Sequence, residues 1–211
     1  MISHSHKFIF IHIPKTGGTS LESVLAPFGT LLQGPGNFRS IYFKHIDAAR
    51  LQPMLGAEYR TYYKFSIVRN PWDWLVSMYE FCRGFCYPFI YETDFTLQVP
   101  QDIRDMEYAD WLIWFHERFG MQQCDVLTGC DGTIAVDKIF RFEGLADVSR
   151  ELADTLGIEI EDALPKLKSS DRLDLDHYYG SGKTVDMVGR FFAKDIEMFD
   201  YRFDNIAASR T

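Results

Sequence analysis

The 211-residue sequence contains no apolar run close to the ~20 residues that a helix needs to span a bilayer, and no internal repeat or low-complexity tract. It holds four cysteines, Cys82, Cys86, Cys124 and Cys130, none of them in a C-x-x-C pair, and no histidine stands at zinc spacing. That excludes a zinc-ribbon or disulfide-framework architecture and leaves reduced thiols as the expectation. Basic residues are also short: Lys and Arg number 22 against 30 Asp and Glu, a net charge of -8. A nucleic-acid binder needs a basic face, so that class is excluded and no nucleic-acid partner is expected. A heavily sulfated or phosphorylated polymer becomes a less natural substrate, although a local basic cleft can sit on an acidic protein. The opening "MISHSHKFIFIHIPK" enters an apolar strand almost at once, which leaves no room for a signal peptide. No membrane span and a cytoplasmic location are therefore expected.

What is present reads as one ordinary globular domain over residues 1–211. Apolar residues make up 46% and charged residues 25%, and a chain of this size buries roughly 70% of its unfolded surface. Residues 8–13, "FIFIHI", are apolar on both faces, as a buried parallel strand requires. A helix should begin near Thr19 or Ser20. A second strand is expected at 63–68, "YKFSIV", followed by Asn70 as N-cap and Pro71 at the first helical position. That helix sets Trp72, Leu75, Val76, Tyr79 and Cys82 on one face. Phe85 to Pro100 reads as a long aromatic loop. An amphipathic helix carrying Tyr108, Trp111, Leu112, Phe115 and Phe119 comes next, then a strand around "KIFRF" and helices at about 145–156 and 185–199. Strands alternating with helices predict an α/β domain with a mainly parallel central sheet flanked by helices and right-handed crossovers. Ligands in such sheets bind at the carboxyl ends of the strands. Both "PKTGGTS" and "RNP" leave such an end.

Two stretches compete as the anion site. In "PKTGGTS", Gly17 and Gly18 permit a sharp turn and close backbone approach. The N–H groups at the following helix start, with the positive end of its dipole, suit an anion. Lys15 adds a mobile charge, and Thr16, Thr19 and Ser20 add hydroxyls. The second stretch, "GSGKT" at 180–184, carries the Gly-Lys-Thr of a Walker loop. That loop needs an earlier glycine and a preceding strand. His177 occupies the glycine position, and "LKSSDRLDLDHYY" is no buried strand. A mobile surface loop is the expectation there, with Lys183 as a conceivable lid over a nucleotide. "TIAVD", ending at Asp137, mimics a magnesium-holding strand but reads as entry to "KIFRF". Arg69, at a strand end beside a helix start, is well placed for a second phosphate, and Ser77 lies two turns into that helix.

"HIPKTGGTSL" followed by "FSIVRNPWDWLVSMY" resembles the sulfotransferase family that includes carbohydrate O-sulfotransferases and bacterial homologues. "KHIDAARLQPMLG", "VDKIFRFEGL" and "KDIEMFDYRF" are similar to further family segments, so the resemblance covers nearly the whole chain. It implies a P-loop-like, three-layer fold and 3'-phosphoadenosine 5'-phosphosulfate (PAPS) as sulfuryl donor. The bisphosphate PAP would be the product, and no metal is needed. By motif position, Lys15, Thr16, Gly17, Gly18, Thr19 and Ser20 would cradle the 5'-phosphosulfate, while Arg69 and Ser77 would hold the 3'-phosphate. The acceptor would be a hydroxyl, less readily an amine, on a carbohydrate or other alcohol.

Sulfuryl transfer, like phosphoryl transfer, is catalysed mainly by positioning and charge stabilisation. Lys15 and the loop N–H groups are the expected stabilisers, and His45 the expected base. His12 reads as a hydrogen-bonded histidine near the site, and Glu143, at the end of the "KIFRF" strand, as a second candidate base. Tyr87, Phe89, Tyr91, Trp111 and Trp114 would either line an acceptor cleft or form core. The rival readings are a magnesium-dependent P-loop kinase or NTPase, and a noncatalytic nucleotide-binding protein. Acceptor identity and oligomeric state are left open.

Overall fold

A computed structural model describes residues 1–32, 44–85, 103–160, 172–204 and 206. The expected loop from Phe85 to Pro100 lies almost wholly outside them, and Tyr87, Phe89 and Tyr91 with it. The chain divides into two compact units: Met1–Arg69 with Gln123–Lys168, and Asn70–Gln122 with Ser169–Thr211.

The first unit holds a sheet that, among the described residues, has four strands in the order β1 (Ile2–Ser3), β2 (Phe8–Ile11), β3 (Tyr63–Val68) and β4 (Lys138–Arg141). β1 pairs antiparallel with β2, and the β2–β3 and β3–β4 pairings are parallel. The apolar run at 8–13 thus forms its strand over four residues, and "YKFSIV" forms over its whole predicted length. Phe8, Phe10, Phe65, Ile67 and Phe140 join one core cluster. Leu21 and Leu25 enter it from α1 (Gly18–Leu25), and Val148 and Leu152 from α7 (Leu145–Leu156). Ile9 and Ile11, which alternate with the phenylalanines, are buried as well. Burial on both faces is what a continuous apolar strand demands. The unit also contains α2 (Ala48–Leu55), capped by the Asp47 side chain on Arg50 N, α3 (Ala57–Thr61) and α6 (Gln123–Leu127).

The second unit is helical: α4 (Pro71–Phe85), α5 (Tyr108–Phe119), α8 (Leu175–Tyr179), α9 (Lys183–Phe191) and α10 (Ala193–Met198). The Asn70 side-chain oxygen accepts from Trp72 N at 3.2 Å, which bears out the N-cap. The apolar face predicted for α4 is too narrow, because Asp73, Trp74, Ser77 and Met78 are buried alongside it. Trp74 sits edge-on to both Phe115 and Phe192, and Asp73 is paired with Arg172 at 2.9 Å. The single helix expected at 185–199 is two helices, broken at Phe192 with φ -117° and ψ 30°. Trp111 is fully buried against Tyr79 and Phe115, so it belongs to the core rather than to an acceptor cleft. Trp114 is half-buried against Phe119.

Asp137 turns out to be a bracket for the sheet. Its N–H donates to the Lys64 carbonyl at 2.8 Å, its carboxylate accepts from Lys64 N at 2.7 Å, and Lys64 Nζ pairs with it at 2.8 Å. Asp137→Ala is expected to cost about 1 kcal/mol, the ordinary worth of a backbone hydrogen bond whose acceptor is lost. Asp137→Asn, which keeps an acceptor oxygen, should cost less. Urea melts of the two variants check this, and equal losses would contradict the bracket.

Candidate active site

The segment between β2 and α1 makes its turn with two left-handed residues, Lys15 at φ 63° and Gly17 at φ 84°. Such a conformation suits glycine and costs a lysine roughly 1–2 kcal/mol, so neighbouring contacts must hold it. Thr16 is buried, and its hydroxyl donates to the Ile13 carbonyl at 2.8 Å. The Lys15 carbonyl accepts from Arg69 Nη1 at 2.9 Å. Gly18 has a steric requirement: a Cβ there would lie 2.3 Å from the His12 ring. Among the described residues no side chain caps the start of α1. Helix starts leave their first N–H groups to solvent or to a ligand, and Gly17 O takes those of Ser20 and Leu21, at 3.0 and 3.3 Å. An uncapped helix start with no Cβ at its first residue fits an anionic group laid against the backbone.

Arg69 follows β3 directly. It is buried, its guanidinium lies 4.1 Å from the centre of the Phe142 ring, and its own peptide is bracketed by the Gln123 side chain. Gln123 accepts from Arg69 N and donates to Arg69 O, each at 2.8 Å. Arg69 is therefore both a buried cation and the clamp on the Lys15 turn. Phe142 and Glu143 stand in a 3-10 turn, Phe142–Gly144, after β4 ends at Arg141, so Glu143 is displaced from the strand end expected of it.

His45 is also buried here. Its Nδ1 lies 2.9 Å from the His12 carbonyl. A carbonyl only accepts, so Nδ1 carries the proton and Nε2 holds the lone pair. Burial foremost, with the Lys44 ammonium nearby, pushes the imidazole down to about 3. The His12 and His45 rings meet edge-on at 4.6 Å. His12 Nδ1 is 2.7 Å from Glu22 Oε1, and Lys44 Nζ is 2.8 Å from Glu22 Oε2. Burial alone would raise the Glu22 carboxyl, but the His12 hydrogen bond and Lys44 hold it at about 2. Glu22 is therefore an anion, and His12 donates to it. Burial lowers the His12 imidazole as well.

The predicted residues Lys15, Thr16, Gly17, Gly18, Thr19, Ser20, His45 and Arg69 thus all fall in the first unit. Contacts run from Lys15 to Arg69 and from Thr19, through Lys44 Nζ at 3.5 Å, to the residue beside His45. Ser77 belongs to the second unit, buried within α4. The sequence reading missed Glu22, Lys44 and Gln123. A lone acid in the apolar "SLESVL" of the loop helix was the available signal for Glu22. In the "GSGKT" stretch Gly180 to Lys183 are exposed, as the surface reading expected. Gly180 to Gly182 form a tight turn between α8 and α9, pinned by Gly180 N to Asp176 O at 2.8 Å and Thr184 Oγ1 to Tyr178 O at 2.6 Å. A helix precedes it where a Walker loop needs a strand.

The lowered His45 pKa has a consequence for folding. Below the unfolded-state value of ~6.5 the unfolded chain binds a proton that the native imidazole refuses down to about 3. Stability is then complete above that value and falls as pH drops, by up to about 1.4 kcal/mol per pH unit from this group. Denaturant melts at pH 7, 6 and 5 should show the fall, with a shallower slope in His45→Gln.

Comparison with known proteins adds one match. The model of the sulfotransferase family matches residues 1–202. No curated protein and no solved structure matches the chain significantly. The family match spans nearly the whole sequence, through the uncapped loop, the buried arginine and the paired histidines: the chain belongs to the sulfotransferase family.

Proposed function

We propose that this protein is a PAPS-dependent sulfotransferase that delivers a sulfuryl group to a hydroxyl, on a carbohydrate or another alcohol, without a metal. The family membership supports sulfuryl transfer in general. The observation that carries the finer reading is the His45 tautomer beside the uncapped loop: Nδ1 committed to the His12 carbonyl, Nε2 left as a base. In this reading residues 1–211 act as one sulfotransferase domain of the P-loop-like, three-layer kind.

The donor supplies an activated sulfuryl group on a 5'-phosphate. Lys15, Thr16, Gly17, Gly18, Thr19 and Ser20 would hold the phosphosulfate end through backbone N–H groups, hydroxyls and the Lys15 ammonium. Arg69 and Ser77 would hold the 3'-phosphate. In the transfer, a sulfur–oxygen bond forms to the acceptor oxygen as the one to the 5'-phosphate breaks. The acceptor proton passes to His45 Nε2, and the released charge stays on PAP, facing Lys15 and the loop N–H groups. A base so placed contributes ~10²–10⁴-fold. His45 is a weak base in the free protein. Negative charge laid on the loop would favour its protonated form and raise its basicity when it is needed.

Calorimetry with 3',5'-adenosine bisphosphate tests the donor site. Metal-free binding in the micromolar range is expected. Lys15→Ala should weaken it roughly tenfold, or about 1.4 kcal/mol, with little change in thermal stability. Arg69→Ala should weaken it at least as much and also lower the melting temperature, because it releases the Lys15 turn. Binding of ATP with magnesium in its place, unaffected by either substitution, would refute the reading.

A further inference from the structure

Glu22 occupies an unfavourable place for a carboxylate. It is 7% exposed and stands one turn into α1, close to the helix end that suits an anion. A buried charge is tolerated only when its partners satisfy it. Both partners of Glu22 lead to His45. Through Oε1 it fixes the His12 ring at 2.7 Å. That ring packs edge-on against His45, and the His12 carbonyl takes the His45 Nδ1 proton. Through Oε2 it fixes the Lys44 ammonium at 2.8 Å, and Lys44 precedes His45 in the chain. The same ammonium reaches Thr19 Oγ1 at 3.5 Å, so the carboxylate also ties the His45 segment to the loop.

We propose that Glu22 is a positioning residue for His45. Its carboxylate locks the His12 ring on one side and the Lys44 side chain on the other, and the imidazole between them is held with its proton on Nδ1. The catalytic part of this claim rests on His45 being the base; the positioning part does not. A plain negative charge at this place opposes the binding of an anionic donor. Removing it would therefore leave donor affinity unchanged or improved, whereas losing a positioning residue lowers turnover. The two roles separate in a kcat-against-affinity comparison.

The experiment uses the full chain, with Glu22→Ala and Glu22→Gln. Glutamine keeps an acceptor for His12 but loses the anchor for Lys44; alanine loses both. Ring-nitrogen NMR of labelled histidines, without ligand, is read first. The wild type should show His45 as a single tautomer protonated on Nδ1, Glu22→Ala a mixture of tautomers, and Glu22→Gln an intermediate. Turnover of PAPS with water as acceptor should fall at least tenfold in Glu22→Ala, while the Kd for 3',5'-adenosine bisphosphate stays within threefold or tightens. Unchanged His45 nitrogen shifts in a folded variant overturn the proposal. So does a loss of bisphosphate affinity in step with turnover, because Glu22 would then act on the loop instead. Should Glu22→Ala fail to fold, the same criteria applied to Glu22→Gln decide. A wild type that neither binds the bisphosphate nor consumes PAPS would refute the donor reading, while the nitrogen spectra still judge the positioning claim.

Discussion

β2 and β3 run parallel with Ile11 opposite Ser66, and the buried Ser66 hydroxyl donates to the Ile11 carbonyl at 2.7 Å. Parallel strands in that register finish at the same end of the sheet. The chain leaving β2 and the chain leaving β3 are therefore delivered to one place, and Arg69 meets the Lys15 turn there. Everything at the candidate site depends on this. A turn with a lysine in the left-handed region would relax if nothing held its carbonyl. The Arg69 hydrogen bond, the buried Thr16 hydroxyl and the absence of a Cβ at Gly18 hold it together. Local strain kept in place by its surroundings is common where a ligand must meet backbone.

The electrostatics follow the same logic at closer range. Burial makes ionisation of His12 and His45 costly, and both imidazoles are pushed downward for that reason first. One carboxylate, Glu22, stays ionised among them because Lys44 answers its charge and His12 donates to it. The outcome is three buried side chains and a partly exposed lysine, with a defined proton on each ring. A family that transfers a sulfuryl group has use for such an arrangement, since the acceptor proton must go to a definite atom.

Much of this was legible in the sequence, and the legible parts were local. "FIFI" is a continuous apolar run whose pattern alone required a strand buried on both faces, and "YKFSIV" forms the second expected strand. Asn70 and Pro71 are adjacent signals for a helix start, and the cap forms. The lysine–glycine turn was readable because all its parts lie within six residues. What was not legible depended on pairing across the chain. Glu22 and Lys44 are 22 residues apart, and nothing in "SLESVL" says which cation answers the acid. Trp111 could be read as cleft or core until its ring neighbours, Tyr79 and Phe115, were placed. No proline or glycine stands at the break itself, Phe191 to Ala193. The sequence alone argued against a Walker loop at "GSGKT", but the helix before it, which makes the stretch a tight turn, was not legible there.

Gln123 gives the site a dependence that its motif does not contain. Its amide imitates a neighbouring peptide, taking the N–H of Arg69 and giving a proton to its carbonyl. In effect it lengthens the sheet by one residue without adding a strand. The side chain belongs to α6, 54 positions along the chain from Arg69. A mutational library confined to the conspicuous loops would leave this support untouched, and a hit at position 123 would look unrelated to them. The orientation of the buried arginine is thus inherited from a short helix whose own sequence, "QCDVL", gives no hint of an active site.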